Sequence, residues 1–120
     1  MTTPNAHIIK AFKSLPEEHQ VRLIHENPEL FLYIDEPSEA VQIAVVEADP
    51  TSIRHIKNPS EKAQMLVVDK HKALGFSFIK NPSEAVQLYT VSKYPFAFQY
   101  IKNPSDKVKQ AAEAAEKAGR

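Results

Sequence analysis

Three lysines recur in this chain of 120 residues, and each stands directly before an Asn-Pro-Ser sequence. They are Lys57, Lys80 and Lys102. A regular row of ammonium groups could contact the phosphates of a nucleic acid. Each lysine also lies close in the sequence to an acidic residue, which is Glu61, Glu84 or Asp106. Because these opposite charges largely cancel, a solvated rim of surface ion pairs is the favoured interpretation, and such pairs contribute little to stability.

A second column consists of ring side chains directly before a repeated isoleucine: Tyr33, His55, Phe78 and Tyr100. Such a ladder could grip a peptide or stack on the bases of a single strand. The alternative is that the rings fill the seams between structural units, where aromatic side chains pack well. Packing is favoured because most of the neighbouring residues are also apolar. Tyr33 and Tyr100 are the members expected to expose a polar tip.

A third column consists of the glutamines Gln42, Gln64 and Gln87, each five residues after a proline, with Lys109 at the last equivalent place. Helical-repeat proteins that bind RNA contact one base per repeat through polar side chains at fixed positions. The three glutamines are identical, however, whereas a sequence-specific RNA binder would vary them. The favoured interpretation is a hydrogen-bonded ladder between successive helices, or plain exposure, because amides readily satisfy neighbouring backbone groups.

Enzyme signatures are absent from the sequence. The five histidines form no i, i+4 pair and no His-Glu-x-x-His motif, which would hold zinc. The two glycines, Gly75 and Gly119, are too few for a phosphate-binding loop, and no Gly-x-Ser-x-Gly turn is present. The absence of cysteine excludes thiol catalysis, thiolate metal sites and disulfides. We therefore predict no catalysis, no metal and no cofactor.

All three columns are set by one repeated motif, Ile-Lys-Asn-Pro-Ser, which occurs at 56–60, 79–83 and 101–105 and in degenerate form at 34–38. Its prolines recur every 22 or 23 residues. A fixed period predicts that each copy is one structural unit that buries its apolar face against its neighbours. We expect the motif Asn to cap a helix, the Pro to take the first helical position, and an acidic residue such as Glu61 to form a capping-box-like contact.

Each predicted helix runs for about three turns and is apolar on more than one face, as expected of a helix enclosed by neighbours. In the second unit these residues are Val41, Ile43, Ala44, Val45, Val46 and Ala48. A break at Pro50, Pro95 or Lys72 precedes a short segment whose i, i+3 apolar spacing predicts a short α or 3₁₀ helix. The alternating residue pattern of 96–100 leaves a β-strand as the other interpretation of this segment. Gly75 is expected to absorb the additional residue of the 23-residue unit.

Residues from about 28 to 106 resemble a class of short helical repeats, written here as Ile-Lys-Asn-Pro-Ser-Glu-x-Val-Gln. Such repeats are frequent in uncharacterised proteins of bacteriophages and some bacteria. They are also similar to leucine-rich-variant repeats, which stack a longer helix against a short one in a right-handed α-solenoid. The resemblance implies this fold and a phage origin, and it supplies no catalytic residues to transfer.

We therefore expect an all-α protein: a small right-handed α-solenoid of about four to five two-helix repeats, each a longer helix plus a short α or 3₁₀ helix. The chain is expected to form a single domain, 1–120. Within it, residues 1–5 are frayed, 6–15 form an N-terminal cap, 16–103 form the repeats, and 104–118 form a C-terminal capping helix.

Composition limits the compartment and the partners. Lysine plus arginine equals aspartate plus glutamate at 15 each, so no global field attracts the chain to nucleic acid or to an anionic membrane. The N-terminus lacks the charged start and apolar run of a signal peptide, and no apolar stretch reaches the roughly 20 residues that span a bilayer. We expect a soluble cytoplasmic protein, in the host cytoplasm if the chain is phage-encoded.

The leading functional hypothesis is a non-enzymatic protein-binding module, a phage product that binds and modulates a host protein. The first alternative is single-stranded nucleic-acid binding through the lysine and aromatic columns. The second is a homo-oligomeric structural protein, since stacked repeats can continue across a two-fold interface. The aromatic, glutamine and lysine columns together are the candidate partner-binding residues.

Overall fold

The structure is a computed structural model that describes residues 6–34 and 36–119, and every regular element in these ranges is a helix. Six α-helices, α1 to α6, span Ala6–Lys13, Glu17–Glu26, Glu39–Ala48, Glu61–Ser77, Glu84–Lys93 and Asp106–Ala118. Three 3₁₀ helices, η1 to η3, span Pro28–Tyr33, Pro50–His55 and Pro95–Tyr100. The all-α prediction is confirmed, and the strand interpretation of residues 96–100 is wrong. The prediction for residues 1–5 lies outside the described residues.

Helices that are neighbours in the sequence are also neighbours in space. From α2 to α6, each α-helix packs against the next one, and each 3₁₀ helix packs against the α-helix that precedes it. η2 also contacts α4, and η3 contacts both α4 and α6. The result is an elongated molecule, 56 Å by 24 Å by 21 Å. The elements that carry one motif copy therefore lie beside those that carry the next.

The serine of the motif, not the asparagine, caps each helix. The hydroxyl oxygens of the cap serines accept a hydrogen bond from the backbone N–H three residues ahead, and these serines are Ser38, Ser60, Ser83 and Ser105. The expected Asn cap, Pro start and capping box are therefore wrong. Serine is as good a cap as asparagine, and it places the acidic residue at the first helical position, near the positive end of the helix dipole. The motif Asn and Pro are left outside the helix.

In the third unit, the position that Pro50 and Pro95 occupy in the neighbouring units belongs to Lys72. This residue has φ 56° and ψ −139°, a positive φ that non-glycine residues rarely adopt, and the backbone of α4 bends there. The additional residue lies between Lys72 and Phe76, so its assignment to Gly75 stays a prediction; Gly75 also allows a close approach. A Cβ at Gly75 would collide with the carbonyl oxygen of Val67 and would lie 2.9 Å from the Cβ of His71. The short helical stretch after the bend therefore packs directly against the backbone before it.

The core runs along the inner faces of the α-helices and includes apolar residues of the short helical stretches, such as Phe31, Ile53 and Phe76. Two motif isoleucines, Ile56 and Ile79, are also buried in it. A smaller cluster at the C-terminal end joins α5 to α6. Among the described residues, no helix is both long enough and apolar enough to cross a membrane.

Candidate functional site

Three surface crevices lie where successive motif copies meet. The first, of about 310 Å³, is lined by Glu36, Pro37, Gln42, Ile56, Lys57 and Asn58. The middle one, of about 410 Å³, is lined by residues 53–57, Pro59, Lys80 and Asn81. The third, of about 290 Å³, is lined by residues 80–82, Gln87 and residues 100–103. Lys57 lines the first two and Lys80 the last two, so the crevices form one continuous surface, which we call the joint row.

The three column lysines are exposed and line the joint row. The ion pairs among the described side chains are Glu18–His19, Glu47–Lys70 and Asp69–Lys93. None of them includes Lys57, Lys80 or Lys102, so the favoured rim of surface ion pairs is not formed in the described part of the chain. The acidic side chains at the helix starts lie close in sequence but do not reach the ammonium groups. The joint row therefore carries positive charge that no described carboxylate pairs with.

The motif asparagines are the second repeated feature of the joint row. Asn58, Asn81 and Asn103 are exposed and line its crevices. Across residues 6–34 and 36–119, no hydrogen bond joins their side-chain amides to another residue. Each amide offers an N–H₂ donor and a carbonyl acceptor, the same pair of groups that a peptide unit presents. Because they do not cap the helices, these amides are available to a ligand.

The aromatic column is divided by the fold. Tyr33 and Phe78 are half-buried, and the guanidinium of Arg54 lies 5.1 Å from the centre of the Phe78 ring. His55 is exposed and lines the middle crevice, although its ring centre is 6.5 Å from that of the buried Phe31. Tyr100 is 42% exposed and lines the third crevice. The structure therefore brings His55 and Tyr100 to the joint row and leaves the other two rings outside its lining.

The glutamine column forms a hydrogen-bonded ladder, the interpretation favoured from the sequence. The side-chain N–H₂ of Gln64 donates to the Pro59 carbonyl at 3.0 Å, and its Oε1 accepts from the Ser83 backbone N–H at 3.2 Å. Gln42 makes the same contacts with Pro37 and Ser60, at 3.1 and 2.8 Å. These two side chains are only 4% and 7% exposed.

Each of these buried amides thus links one motif copy to the next and satisfies the cap N–H that a capping box would otherwise satisfy. Gln87 keeps only the first contact, to the Pro82 carbonyl at 3.0 Å, and lies half-buried in the third crevice. The polar atoms of Gln42 and Gln64 are already bonded internally, so we do not place these two glutamines in the site.

The charge of the joint row changes along its length. Glu36 stands in the first crevice at the motif position that Asn58, Asn81 and Asn103 occupy in the other copies. The middle crevice holds three permanent cations, Arg54, Lys57 and Lys80, and the third holds Lys80 and Lys102. Sequence reasoning missed Arg54 because its column is not repeated: the equivalent residues are Leu32, Ser77 and Gln99.

Comparison of the chain with protein-family models, with curated proteins and with solved structures finds no match. The resemblance to phage helical repeats and to leucine-rich-variant repeats therefore stays a prediction. Within the described ranges, no group of three His, Asp or Glu side chains is placed to hold a metal ion.

Proposed function

We propose that this protein is a non-enzymatic protein-binding module whose joint row binds an extended, acidic segment of a partner protein. One observation carries the proposal: each of the three crevices is lined by a lysine without a described ion-pair partner and by an asparagine amide without a described hydrogen-bond partner. Unpaired charge on a surface favours a ligand of opposite charge, both by steering its approach and by selecting it against neutral competitors.

The spacing between successive crevices of the joint row suits an extended peptide. Packed helices lie about 8–10 Å apart, and an extended chain in the polyproline II conformation advances about 3.1 Å per residue with three residues per turn, so every third side chain faces the same way. The distance from one crevice to the next therefore corresponds to about three peptide residues. Carboxylates at every third position would meet Lys57, Lys80 and Lys102 in turn. The asparagine amides between them would pair with the peptide backbone, which supplies affinity independent of sequence.

The proposal includes the architecture and the setting expected from the sequence. We propose a right-handed α-solenoid, a phage origin and a host protein as the partner, with the host cytoplasm as the compartment. The sequential packing from α2 to α6 and the elongated shape support a stacked arrangement. Such an arrangement displays equivalent residues of successive repeats along one extended surface, which is what the joint row requires.

The direct test uses a labelled peptide with aspartate at every third position, together with a twin in which asparagine replaces every aspartate. Fluorescence anisotropy should show that the aspartate peptide binds more tightly, with an affinity that falls as salt is added. Replacing Lys57, Lys80 and Lys102 together with Gln should abolish this binding. The matched control replaces three exposed lysines outside the joint row, Lys10, Lys13 and Lys117, with Gln. Equal loss in both triple variants would refute a specific site.

Single-stranded nucleic-acid binding is the second candidate, favoured by the position of Tyr100 beside Lys80 and Lys102 in the third crevice. A ring next to two cations could stack on a base and hold the flanking phosphates. Glu36 opposes this function because a uniformly negative strand along the whole row would meet its carboxylate. A mixed oligonucleotide that binds at low salt, and that loses affinity with Tyr100→Leu but not with Tyr33→Leu, would replace the peptide proposal.

Self-association is the third function proposed from the sequence. Light scattering over a range of protein concentrations tests it without any ligand. A constant monomer mass would remove it, whereas a mass that doubles with concentration would require the peptide experiments to be repeated on the separated oligomer.

A further inference from the structure

The middle crevice differs from the other two by its concentration of positive charge. We propose that it binds a phosphoryl group carried by a side chain of the partner segment, so that the protein recognises a phosphorylated protein. This inference rests on the proposed peptide-binding function, and it adds the chemistry of one position in the bound peptide.

The three cations of the middle crevice come from two successive motif copies. η2 supplies Arg54, Lys57 follows two residues after the end of η2, and the next copy supplies Lys80. Among the described residues that line this crevice, none carries a carboxylate. In the described part of the chain, none of the three cations forms an ion pair. An anion that enters here would therefore not have to displace an internal partner.

The Arg54 guanidinium is held in one orientation by a neighbouring ring, so its N–H donors can bind an anion with a defined geometry. Its guanidinium lies 5.1 Å from the centre of the Phe78 ring, a cation–π contact that restricts the side chain without neutralising its charge. A guanidinium presents a planar fork of N–H donors that matches two oxygens of a phosphoryl group. The ammonium groups of Lys57 and Lys80 act as point charges beside it, and the Asn81 amide adds a neutral donor at the rim.

A phosphoryl group matches this charge better than a carboxylate does. At about pH 7 a phosphorylated side chain carries a charge of about −1.5 to −2 and three acceptor oxygens. An aspartate or glutamate carries one charge and two oxygens, so it would leave most of the positive charge of the crevice uncompensated. In the third crevice, which has two lysines and no arginine, a carboxylate is an adequate partner.

The charge distribution also favours a phosphorylated protein over a nucleic acid. A phosphodiester backbone has one charge per phosphate and repeats at equal steps, so it needs equivalent cationic sites along its path. The joint row does not provide them, because Glu36 occupies the first crevice and the cations are concentrated in the middle one. A single phosphorylated side chain places its charge where the protein has most of its own.

The test compares three versions of one labelled acidic peptide, with phosphoserine, glutamate or serine at its central position. For the wild-type protein, anisotropy should show that the phosphoserine peptide binds about tenfold more tightly than the glutamate peptide. Arg54→Gln should reduce this ratio to near one and change the affinity for the glutamate peptide by less than about threefold. Arg54→Lys keeps the charge but loses the fork, and should give an intermediate ratio.

Arg22→Gln is the matched control, because Arg22 is exposed on α2 and lies outside the lining of the joint row. Thermal melts of all variants establish that they are folded. Equal affinity for the phosphoserine and glutamate peptides would overturn the phosphoryl site and leave the proposed function standing. Binding of none of the three peptides would overturn the proposed function, and the inference with it. An equal loss in Arg22→Gln, or displacement by an oligonucleotide of the same total charge as readily as by unlabelled phosphopeptide, would also overturn the inference.

Discussion

The glutamine column and the lysine column recur with the same period and with the same fidelity, yet they lie in different environments. Gln42 and Gln64 are buried, and both ends of each amide bond to backbone groups of two successive motif copies. Lys57, Lys80 and Lys102 are exposed, with no described partner. Repetition alone therefore does not tell whether a polar side chain is bonded within the fold or remains available at the surface.

The largest expected effect comes from breaking the glutamine ladder at Gln64. Gln64→Leu keeps the side-chain volume but leaves the Pro59 carbonyl and the Ser83 N–H without partners, which should lower the free energy of unfolding by about 2 kcal/mol. Urea denaturation followed by circular dichroism measures this value. Gln87→Leu is the matched comparison, since Gln87 makes only one of the two contacts, and it should cost about 1 kcal/mol. Equal effects at the two positions would show that the second contact contributes nothing.

The next effect tests which residue of the motif caps the helix. Ser83→Ala removes the hydroxyl that accepts from the Val86 N–H, and it should lower the free energy of unfolding by about 1 kcal/mol. Asn81→Ala removes an exposed amide with no described partner, and should change it by less than about 0.5 kcal/mol. If the asparagine variant proves the less stable of the two, the cap assignment is wrong.

The helix starts show which parts of the fold could be predicted from the sequence. The period, the all-helical class and the breaks at Pro50 and Pro95 were predictable because Pro and apolar spacing act locally. The helix starts were displaced by two residues because Asn and Ser are equally good caps, so local propensity does not choose between them. At Ser60 and Ser83 the preceding helix also supplies a glutamine to the serine N–H, which is a contact that local propensity does not contain.

The site was predictable only in its repeated part. Column reasoning found the lysines Lys57, Lys80 and Lys102, but it paired them with acids that the fold keeps apart. It missed Arg54, which is not repeated, and the motif asparagines, which it assigned to the helix caps. Whether a polar side chain is bonded or available depends on packing between repeats, and a single sequence does not encode that in any local pattern.

Substitution of Lys72 tests whether an exposed lysine can always be replaced without changing the free energy of unfolding. Its positive φ is strained for any residue with a Cβ, so Lys72→Gly should raise the free energy of unfolding by about 1 kcal/mol despite the loss of a side chain. Lys70→Gly, two residues earlier and at a helical position, should lower it by about 1 kcal/mol through helix propensity, with a small further loss from the exposed ion pair with Glu47. Opposite signs in thermal or urea unfolding are expected. The same sign in both variants would mean that the backbone at Lys72 is not strained.

The smallest effect on stability, and the sharpest contrast with the glutamines, is expected for the lysines of the joint row. Replacing Lys57, Lys80 and Lys102 together with Gln removes no described ion pair, so the free energy of unfolding should change by less than about 0.5 kcal/mol per site. Unchanged stability in this variant, together with the loss of peptide binding expected above, would assign these repeated lysines to binding. A cooperative loss of several kcal/mol in this variant would instead place the lysines with the glutamines, as part of the structure.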